Sequence, residues 1–162
     1  MSYIIDTNSL SQIMKSFYFE SFPTFWNNFN HLIDIGEIYS TREVYKELER
    51  KDNIFHEINY WIKNCNINKE LFFSIPTQAE LTELSRIFEI EHFHQCLNQR
   101  NIISGAPCAD PFIIAKAMHL NAIVITEEKN KDHSAKIPTI CTHFKINYLS
   151  LREFISKQNW IF

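Results

Sequence analysis

Glycine is almost absent from this chain of 162 residues, since Gly36 and Gly105 are the only two. Glycine-rich phosphate loops need several closely spaced glycines so that backbone amides can wrap around a phosphate group. The sequence therefore excludes such loops. If the protein handles phosphates, it must do so with side chains or with a metal ion.

The sequence also lacks features that are typical of membrane, secreted and highly basic nucleic-acid-binding proteins. No apolar run approaches the roughly 20 residues of a membrane helix, and 16 basic against 19 acidic residues argue against binding nucleic acid mainly by bulk charge. The opening Met-Ser-Tyr-Ile-Ile-Asp lacks the basic start and long apolar run of a signal peptide. The four cysteines form no Cys-x-x-Cys pair. We therefore expect a cytoplasmic protein with buried, reduced thiols and no membrane partner.

Short β-branched runs alternate with helical patterns along the chain. The runs at 3–5, 38–39, 122–125 and 137–141 predict strands, of which 122–125 is the clearest. Strands that alternate with helices are typical of an α/β domain with a mostly parallel sheet. No repeat, low-complexity tract or linker divides the sequence, so we expect one domain over residues 1–162.

Apolar spacing and capping signals predict the helices. Aromatic and aliphatic residues recur at helical spacing over 22–33, before Gly36, and over 54–62. Boxes of capping form begin at Ser40, Thr77 and Ser150, and each ends in a glutamate three positions later. The helix that starts at Thr77 is predicted to extend to about Asn98, and 101–108 is predicted to be a loop.

Acidic residues follow or flank the predicted strands in four distant parts of the sequence. Asp6 ends the first strand, Glu128 follows the 122–125 strand, Asp110 precedes Pro111 at a helix start, and Glu47 lies one helical turn after Glu43. Ligands of open parallel sheets bind beyond the carboxyl ends of the strands, and carboxylates are the ligands that Mg²⁺ prefers. Helix capping would also explain most of these acids taken singly. The pattern alone leaves a metal site and a set of capping residues both open.

These residues resemble the motifs of PIN-domain nucleases, in the order that the family has them. Residues 3–8, Tyr-Ile-Ile-Asp-Thr-Asn, are similar to the strand and Asp-Thr/Ser-Asn/Ser that open the family's domain. Residues 40–48 are similar to the second motif, in which an acid precedes leucine, so the match falls on Glu47. Residues 109–117 resemble the third motif, with Asp110 opening a helix, and residues 123–128 resemble the fourth.

The resemblance implies a three-layer α/β/α domain with a metal-dependent ribonuclease site, as in VapC-type toxins of bacterial toxin–antitoxin pairs. It implies that Asp6, Glu47, Asp110 and Glu128 are catalytic and bind Mg²⁺ or Mn²⁺, and that hydrolysis leaves a 5′-phosphate. The implied supporting residues beside the acids are Thr7, Asn8, Glu43, Thr126 and Glu127.

The sequence departs from the family pattern in the fourth motif and in the middle of the chain. The fourth acid is usually aspartate, whereas here it is Glu128, with Glu127 as a competing candidate. Lys129-Asn130-Lys131 stand where a further acid and an aromatic residue often follow. The region between Asn53 and Asn101 predicts a helical elaboration longer than the shortest toxin-like members need.

The implied partners are an RNA substrate and an antitoxin protein, with a homodimer as a further assembly. Scattered bases are the candidates for holding RNA, namely Lys15, Arg42, Lys116 and Lys129. Two aromatic stripes, at 22–29 and 55–61, are explained most simply by core packing. A second copy of the chain or an antitoxin peptide would be the alternative cover for one of them.

Three other hypotheses stay open at the level of sequence. The first is a PIN-like RNA- or protein-binding module whose altered fourth motif has cost it catalysis. The second is a transition-metal protein that uses His92, His94 and Cys96, although these three share one face only on a strand. The third is a phosphoacceptor domain built on Asp6, which would need a lysine such as Lys116 near the end of the sheet.

Overall fold

In the computed structural model, residues 1–96, 105–131 and 133–161 are described. Within these ranges, four short strands form one sheet in the order β2-β1-β3-β4, and each pairing between neighbours is parallel. The strands are β1 (Tyr3–Ile5), β2 (Ile38–Tyr39), β3 (Ile123–Ile125) and β4 (Tyr148–Leu149). The predicted α/β class with a three-layer α/β/α arrangement and a parallel central sheet is confirmed.

Helices occupy most of the remaining described chain. In chain order they are α1 (Thr7–Ser16), α2 (Pro23–Asp34), α3 (Arg42–Glu49), α4 (Asp52–Asn64), α5 (Lys69–Phe72), α6 (Gln78–Phe88), a 3₁₀ helix (Glu91–Cys96), α7 (Asp110–Leu120), α8 (Ile137–Phe144) and α9 (Leu151–Lys157). Among the described residues, no helix combines the length and the apolar character that a membrane crossing requires.

The register of the two central strands determines where the polar edge lies. Ile5 of β1 pairs with Ile125 of β3, so that the residues that follow them, Asp6 and Thr126, emerge side by side. All three residues of β1 and all three of β3 are buried. A fully apolar strand that ends in a polar residue thus delivers that residue to the carboxyl edge of the sheet.

The aromatic stripes of α2 and α4 pack against each other inside the protein. Trp61 is fully buried, its ring lies 5.9 Å from Trp26 and 6.0 Å from Phe29, and its Nε1 donates a 2.8 Å hydrogen bond to Asn30 Oδ1. These aromatic residues therefore pack in the hydrophobic core, which is the simplest explanation that the sequence offered for them. Gly36, with φ of 68°, follows α2 where a left-handed turn returns the chain to β2.

Two of the predicted elements are wrong in type or extent, and two elements of the structure were not predicted. The segment that begins at Ile137 is helix α8 and not a strand, and the edge strand is instead β4, only two residues long. Pro138 sits in the first turn of α8, where a proline costs no hydrogen bond. The helix begun at Thr77 ends at Phe88 and does not reach Asn98, which lies outside the described residues. Residues 69–72, not predicted as helical, form α5.

Two of the three predicted capping boxes also differ from the full pattern. The box at Ser150 is complete, and Thr77 caps α6, but Glu80 bonds elsewhere. At the first box the cap is Thr41 and not Ser40, because the Ser40 hydroxyl donates to the carbonyl of Ile5 at 3.0 Å and so ties β1 to the start of α3.

The thiols are less uniformly buried than the sequence predicted. Cys141 is buried, and burial raises the pKa of its thiol to about 12, whereas Cys65 and Cys108 are half-buried. The side chain of Cys96 lies outside the described residues. Part of the predicted loop 101–108 also falls there, since 97–104 are not described.

Candidate active site

The four acids singled out from the sequence meet at the carboxyl edge of the sheet. Asp6 follows β1, Glu128 lies three residues after β3, Glu47 lies in α3, and Asp110 opens α7. The charges of Glu128, Glu47 and Asp6 all raise the pKa of Asp110, so the four carboxylates are close enough to interact electrostatically. Residues far apart in sequence therefore form one acidic cluster.

Asp6 is buried and has two hydrogen-bonding roles. It caps α1, since its Oδ1 accepts a 2.6 Å bond from the backbone N–H of Ser9. Its Oδ2 accepts a 2.7 Å bond from the Thr126 hydroxyl. Burial raises the pKa of Asp6 against the lowering effect of these two bonds, and the charge of Glu128 adds to the rise. The capping interpretation of Asp6 is thus correct, and the residue also belongs to the acidic cluster.

Thr126 connects two members of the cluster. Besides donating to Asp6, its hydroxyl oxygen accepts a 3.1 Å hydrogen bond from the backbone N–H of Glu128. Its side chain is 2% exposed, so the hydroxyl has little access to water as an alternative partner. One hydroxyl therefore bonds both the Asp6 carboxylate and the backbone of Glu128, and the ligand-orienting role implied for Thr126 from the sequence stays a prediction.

Glu47 is held by the chain on both sides. Its Oε2 accepts a hydrogen bond from the Thr7 hydroxyl, and its Oε1 accepts a 2.8 Å bond from the backbone N–H of Ala109, directly before α7. Thr7 thus donates a hydrogen bond to an acid of the cluster. The bond to Ala109 brings α3 against the start of α7, and so positions Glu47 beside Asp110.

Asp110 differs from the other three acids because it caps nothing. The cap residue of α7 is Ala109, without a side-chain cap, and the half-buried Asp110 lies in the first helical turn, next to Pro111. Burial is the largest cause that raises its pKa to about 7, followed by the three neighbouring acids, while Lys136 lowers it. The capping interpretation of Asp110 is therefore wrong, and its carboxylate has no such structural task.

Glu127 and Glu128 have separate environments. Glu127 is exposed and its Oε1 accepts a 2.6 Å bond from the N–H of Leu151, so it caps α9. Glu128 Oε2 accepts a 3.0 Å bond from the N–H of Ile137 at the start of α8, and its Oε1 lies 3.8 Å from the Lys136 ammonium. Since Glu128 and not Glu127 acts on the pKa values of Asp6 and Asp110, Glu128 is the better candidate for the fourth acid.

The remaining supporting residues have distinct surroundings. Glu43 is 5% exposed, and its Oε1 accepts bonds from Arg42, the shorter at 2.7 Å. Its Oε2 is buried and without a hydrogen-bond partner among the described residues. Asn8 is exposed and lines a cavity together with Glu128. Glu43 is thus a buried ion-pair partner, and Asn8 is, with Glu127, an exposed member of the supporting set.

Lys116 cannot hold RNA in the way that the sequence suggested. It is 4% exposed, its ammonium lies 3.2 Å from Glu80 Oε1, and it donates a 2.7 Å hydrogen bond to Ser74 Oγ. Its task is to join α7 to α6. The same burial removes it as the lysine of a phosphoacceptor site on Asp6. Of the other bases, Arg42 pairs with Glu43, while Lys15 and Lys129 are exposed.

The donor set of the cluster suits a hard divalent cation, although the ligands are not already gathered around one point. Carboxylate oxygens are the preferred ligands of Mg²⁺. The charges of Glu128, Glu47 and Asp6, which add to burial in raising the pKa of Asp110, are what a bound cation would offset. Within 1–96, 105–131 and 133–161, no three His, Cys, Asp or Glu side chains are arranged to hold a metal ion. Asp6, Glu47 and Glu128 are each held by hydrogen bonds to the chain, so binding would require some of these oxygens to turn toward the ion.

The alternative site at His92, His94 and Cys96 has no support in the described residues. All three positions lie in a 3₁₀ helix and not on a strand. His94 Nε2 lies 2.5 Å from the carbonyl oxygen of Phe88, and the ring of His92 lies 5.8 Å from that of Phe93. His94 is therefore engaged with the end of α6.

Comparison with known proteins gives a family and a fold. The model of the family described as Domain of unknown function (DUF4411) matches residues 3–162, and the chain belongs to this family. No curated protein matches the chain. Among solved structures, the chain is similar to a chain of VapBC2 from Rickettsia felis, crystallised with a DNA fragment from its promoter. The TM-score is 0.51 at 13% identity, over 93% of this chain and 98% of the other. At this identity the likeness concerns the fold.

Proposed function

We propose that this member of the DUF4411 family is a metal-dependent endoribonuclease. The observation that supports it is the meeting of Asp6, Glu47, Asp110 and Glu128 at one sheet edge, where burial and then neighbouring charge raise the pKa of Asp110 to about 7. Perturbed carboxylates at the carboxyl ends of parallel strands are typical of functional sites. The order of the PIN-like motifs and the likeness of fold to a VapBC2 chain support the same assignment.

In this proposal the four carboxylates hold one or two Mg²⁺ or Mn²⁺ ions. The chemistry supplied on binding is the activation of water for in-line attack on a phosphodiester and the stabilisation of charge on the leaving oxygen. Asp110 contributes the carboxylate that no capping task occupies. Thr126 and Thr7 keep Asp6 and Glu47 in place by donating hydrogen bonds to them, as residues behind metal ligands commonly do.

The direct test is cleavage of single-stranded RNA by the purified chain with Mg²⁺ or Mn²⁺, with chelator as the blank. Asp110→Asn and Asp6→Asn should abolish cleavage while leaving the circular dichroism spectrum unchanged. Glu89→Gln is a matched control, because Glu89 is an exposed acid at the end of α6. Products should carry a 5′-phosphate. Equal cleavage by the wild type and both aspartate variants would refute the assignment.

A PIN-like binding module without catalysis is the second candidate. It is favoured by the hydrogen bonds that already occupy Asp6, Glu47 and Glu128, since a metal site would have to compete with them. Calorimetric titration with Mn²⁺ separates the two candidates. A nuclease should bind the ion with a measurable heat that Asp110→Asn removes, whereas an inactive module should give no such heat.

We further propose that the protein acts as the toxin of a bacterial toxin–antitoxin pair. The proposal is supported by the fold shared with a chain of VapBC2 and by the resemblance of the motifs to VapC-type toxins. A short reading frame upstream, encoding a protein with a DNA-binding motif, would be the expected antitoxin. Induced expression of the chain alone should arrest growth, co-expression of that partner should restore it, and Asp110→Asn should be harmless by itself.

A further inference from the structure

We infer that the lysine-lined cavity beside Glu128 binds the phosphate backbone of the nucleic-acid strand that reaches the acidic cluster. The inference rests on the proposed nuclease function and assigns a binding site to its substrate. The cavity has a volume of about 680 Å³ and is lined by Lys129, Lys131 and Lys136 together with Asn8, Glu127, Glu128 and Asn130. Its volume lies in the usual range for ligand sites.

The three lysines that line this cavity all come from the part of the chain between β3 and α8. Lys129 and Lys131 are exposed, and in the described part of the chain neither forms an ion pair. Lys136 is 52% exposed in its side chain and lies 3.8 Å from Glu128. Flexible ammonium groups of this kind are suited to contacting phosphates as point charges.

The cavity is lined by three lysines against two glutamates, Glu127 and Glu128, so its lining carries a net positive charge. Glu127 accepts the N–H of Leu151, and Glu128 accepts the N–H of Ile137 and faces Lys136. Lys136 is also the cap residue of α8, whose positive N-terminal end points to the same place. A polyanion would therefore meet three ammonium groups and a helix N-terminus at this wall.

The position of the cavity connects it to the cluster. Glu128 belongs to both, and Thr126 joins the N–H of Glu128 to Asp6 through one hydroxyl. Lys136 acts on the acids as well, since it is the group that lowers the pKa of Asp110. Asn8, next to Thr7 in the first turn of α1, presents an amide at the same cavity. A strand held by the lysines thus passes directly beside the four carboxylates.

A nucleic-acid backbone is the occupant that the charges favour, although an acidic protein segment would be drawn by the same lysines. The chain as a whole has a net charge of −3. Attraction of a nucleic-acid backbone must therefore come from the lysines of the cavity and not from the overall charge of the protein. Each ammonium that neutralises a phosphate of a single strand contributes about 0.7 to the slope of log affinity against log salt. The salt dependence of the affinity therefore indicates how many lysines contact phosphates of the strand.

The experiment measures binding of a fluorescein-labelled single-stranded RNA to the full chain by anisotropy, in chelator so that no cleavage occurs. The variants are Lys136→Gln, Lys136→Arg and the double variant Lys129→Gln/Lys131→Gln. Lys63→Gln is the matched control, because Lys63 is an exposed lysine of α4, away from the cavity. Thermal unfolding of each variant verifies that the fold is retained.

The expected result is several-fold weaker binding for the glutamine variants, with near wild-type behaviour for Lys136→Arg and Lys63→Gln. The salt slope should fall by about 0.7 for each phosphate that is no longer neutralised by a lysine. If the glutamine variants bind RNA like Lys63→Gln, or if the wild type binds no RNA, the inference is overturned. Retained RNA binding combined with weaker binding of an acidic peptide would assign the cavity to a protein partner and overturn it too.

The two proposals fail in different ways. If the wild type cleaves RNA while the cavity variants bind it normally, the nuclease stands and the cavity assignment falls. If no Mg²⁺- or Mn²⁺-dependent cleavage is seen but the lysine variants weaken RNA binding, the nuclease falls and the cavity remains a nucleic-acid site.

Discussion

The Thr126 hydroxyl donates a 2.7 Å hydrogen bond to Asp6 Oδ2, across 120 positions of sequence. The bond joins the residues that follow β1 and β3, which the pairing of Ile5 with Ile125 places side by side. Because both residues are about 2% exposed, neither has water as an easy substitute partner. The hydrogen bond therefore fixes the position of the Asp6 carboxylate relative to the end of β3.

Replacing Thr126 by valine should therefore weaken both the fold and the site. Valine keeps the shape but leaves a buried carboxylate oxygen without its donor, which costs about 1–3 kcal/mol of unfolding free energy. Metal affinity should fall about 10- to 100-fold. Urea unfolding and Mn²⁺ calorimetry measure the two effects. Thr126→Ser retains the hydroxyl and should behave like the wild type; a valine variant with unchanged metal affinity would contradict the role.

The stability of the metal-free protein should decrease as the pH rises from about 4 to 7. Asp110 has a pKa of about 7 in the fold against 3.8 ordinarily, so the folded state binds more protons than the unfolded state in that window, and this contribution is lost as Asp110 ionises. Asp6, whose pKa is also raised, acts in the same direction.

Asp110→Asn should remove much of this pH dependence. At pH 8, in chelator, the variant should be more stable than the wild type by up to about 4 kcal/mol, and the two should be nearly equal at pH 4. Urea unfolding at both pH values gives the comparison. Added Mg²⁺ should stabilise the wild type at pH 8 and not the variant. Parallel pH profiles for the two proteins would show that Asp110 is not the group responsible.

Glu128→Gln and Glu127→Gln should separate the two candidates for the fourth acid. Glu128 acts on the pKa values of Asp6 and Asp110, whereas Glu127 caps α9. Glu128→Gln should lower Mn²⁺ affinity about tenfold or more. Glu127→Gln should leave that affinity unchanged and cost at most about 1 kcal/mol of stability. The opposite pattern in calorimetry would transfer the role to Glu127.

Lys116 and Glu80 should matter for stability and not for substrate binding. Their side chains are about 5% exposed and pair at 3.2 Å, so Lys116→Met alone leaves a buried charge and should cost about 3–5 kcal/mol. The double variant Lys116→Met/Glu80→Leu should recover most of that stability. Lys15→Met, on the exposed end of α1, should be nearly neutral. A double variant as unstable as the single one would mean that the pair is not the source of the effect.

The features that depend on local sequence were predictable. Apolar runs ending in a polar residue identified β1 and β3, and the complete box at Ser150 identified the start of α9. Because parallel strands end at one edge, the meeting of Asp6, Glu47, Asp110 and Glu128 followed from the order of elements once the motifs were placed.

Features that depend on contacts between distant segments were not predictable. The segment from Ile137 has β-branched residues typical of a strand, yet it is helical, and its first N–H is satisfied by Glu128, nine residues earlier. Lys116 resembles a surface base in sequence, but α6 covers it and supplies Glu80. The two bonds of the Thr126 hydroxyl likewise exist only once β1 and β3 have paired.

The place of β1 between β2 and β3 also has a consequence for synthesis of the chain. Strand β1 is paired with residues 123–125, so it cannot complete its hydrogen bonding until that much later segment has been made. Long-range parallel pairing of this kind is slow to form, and chains emerge from the ribosome at about 5–20 residues per second. Asp6 is thus synthesised 120 residues before its partner Thr126. A ribosome-bound fragment that ends before residue 126 should therefore lack an assembled site.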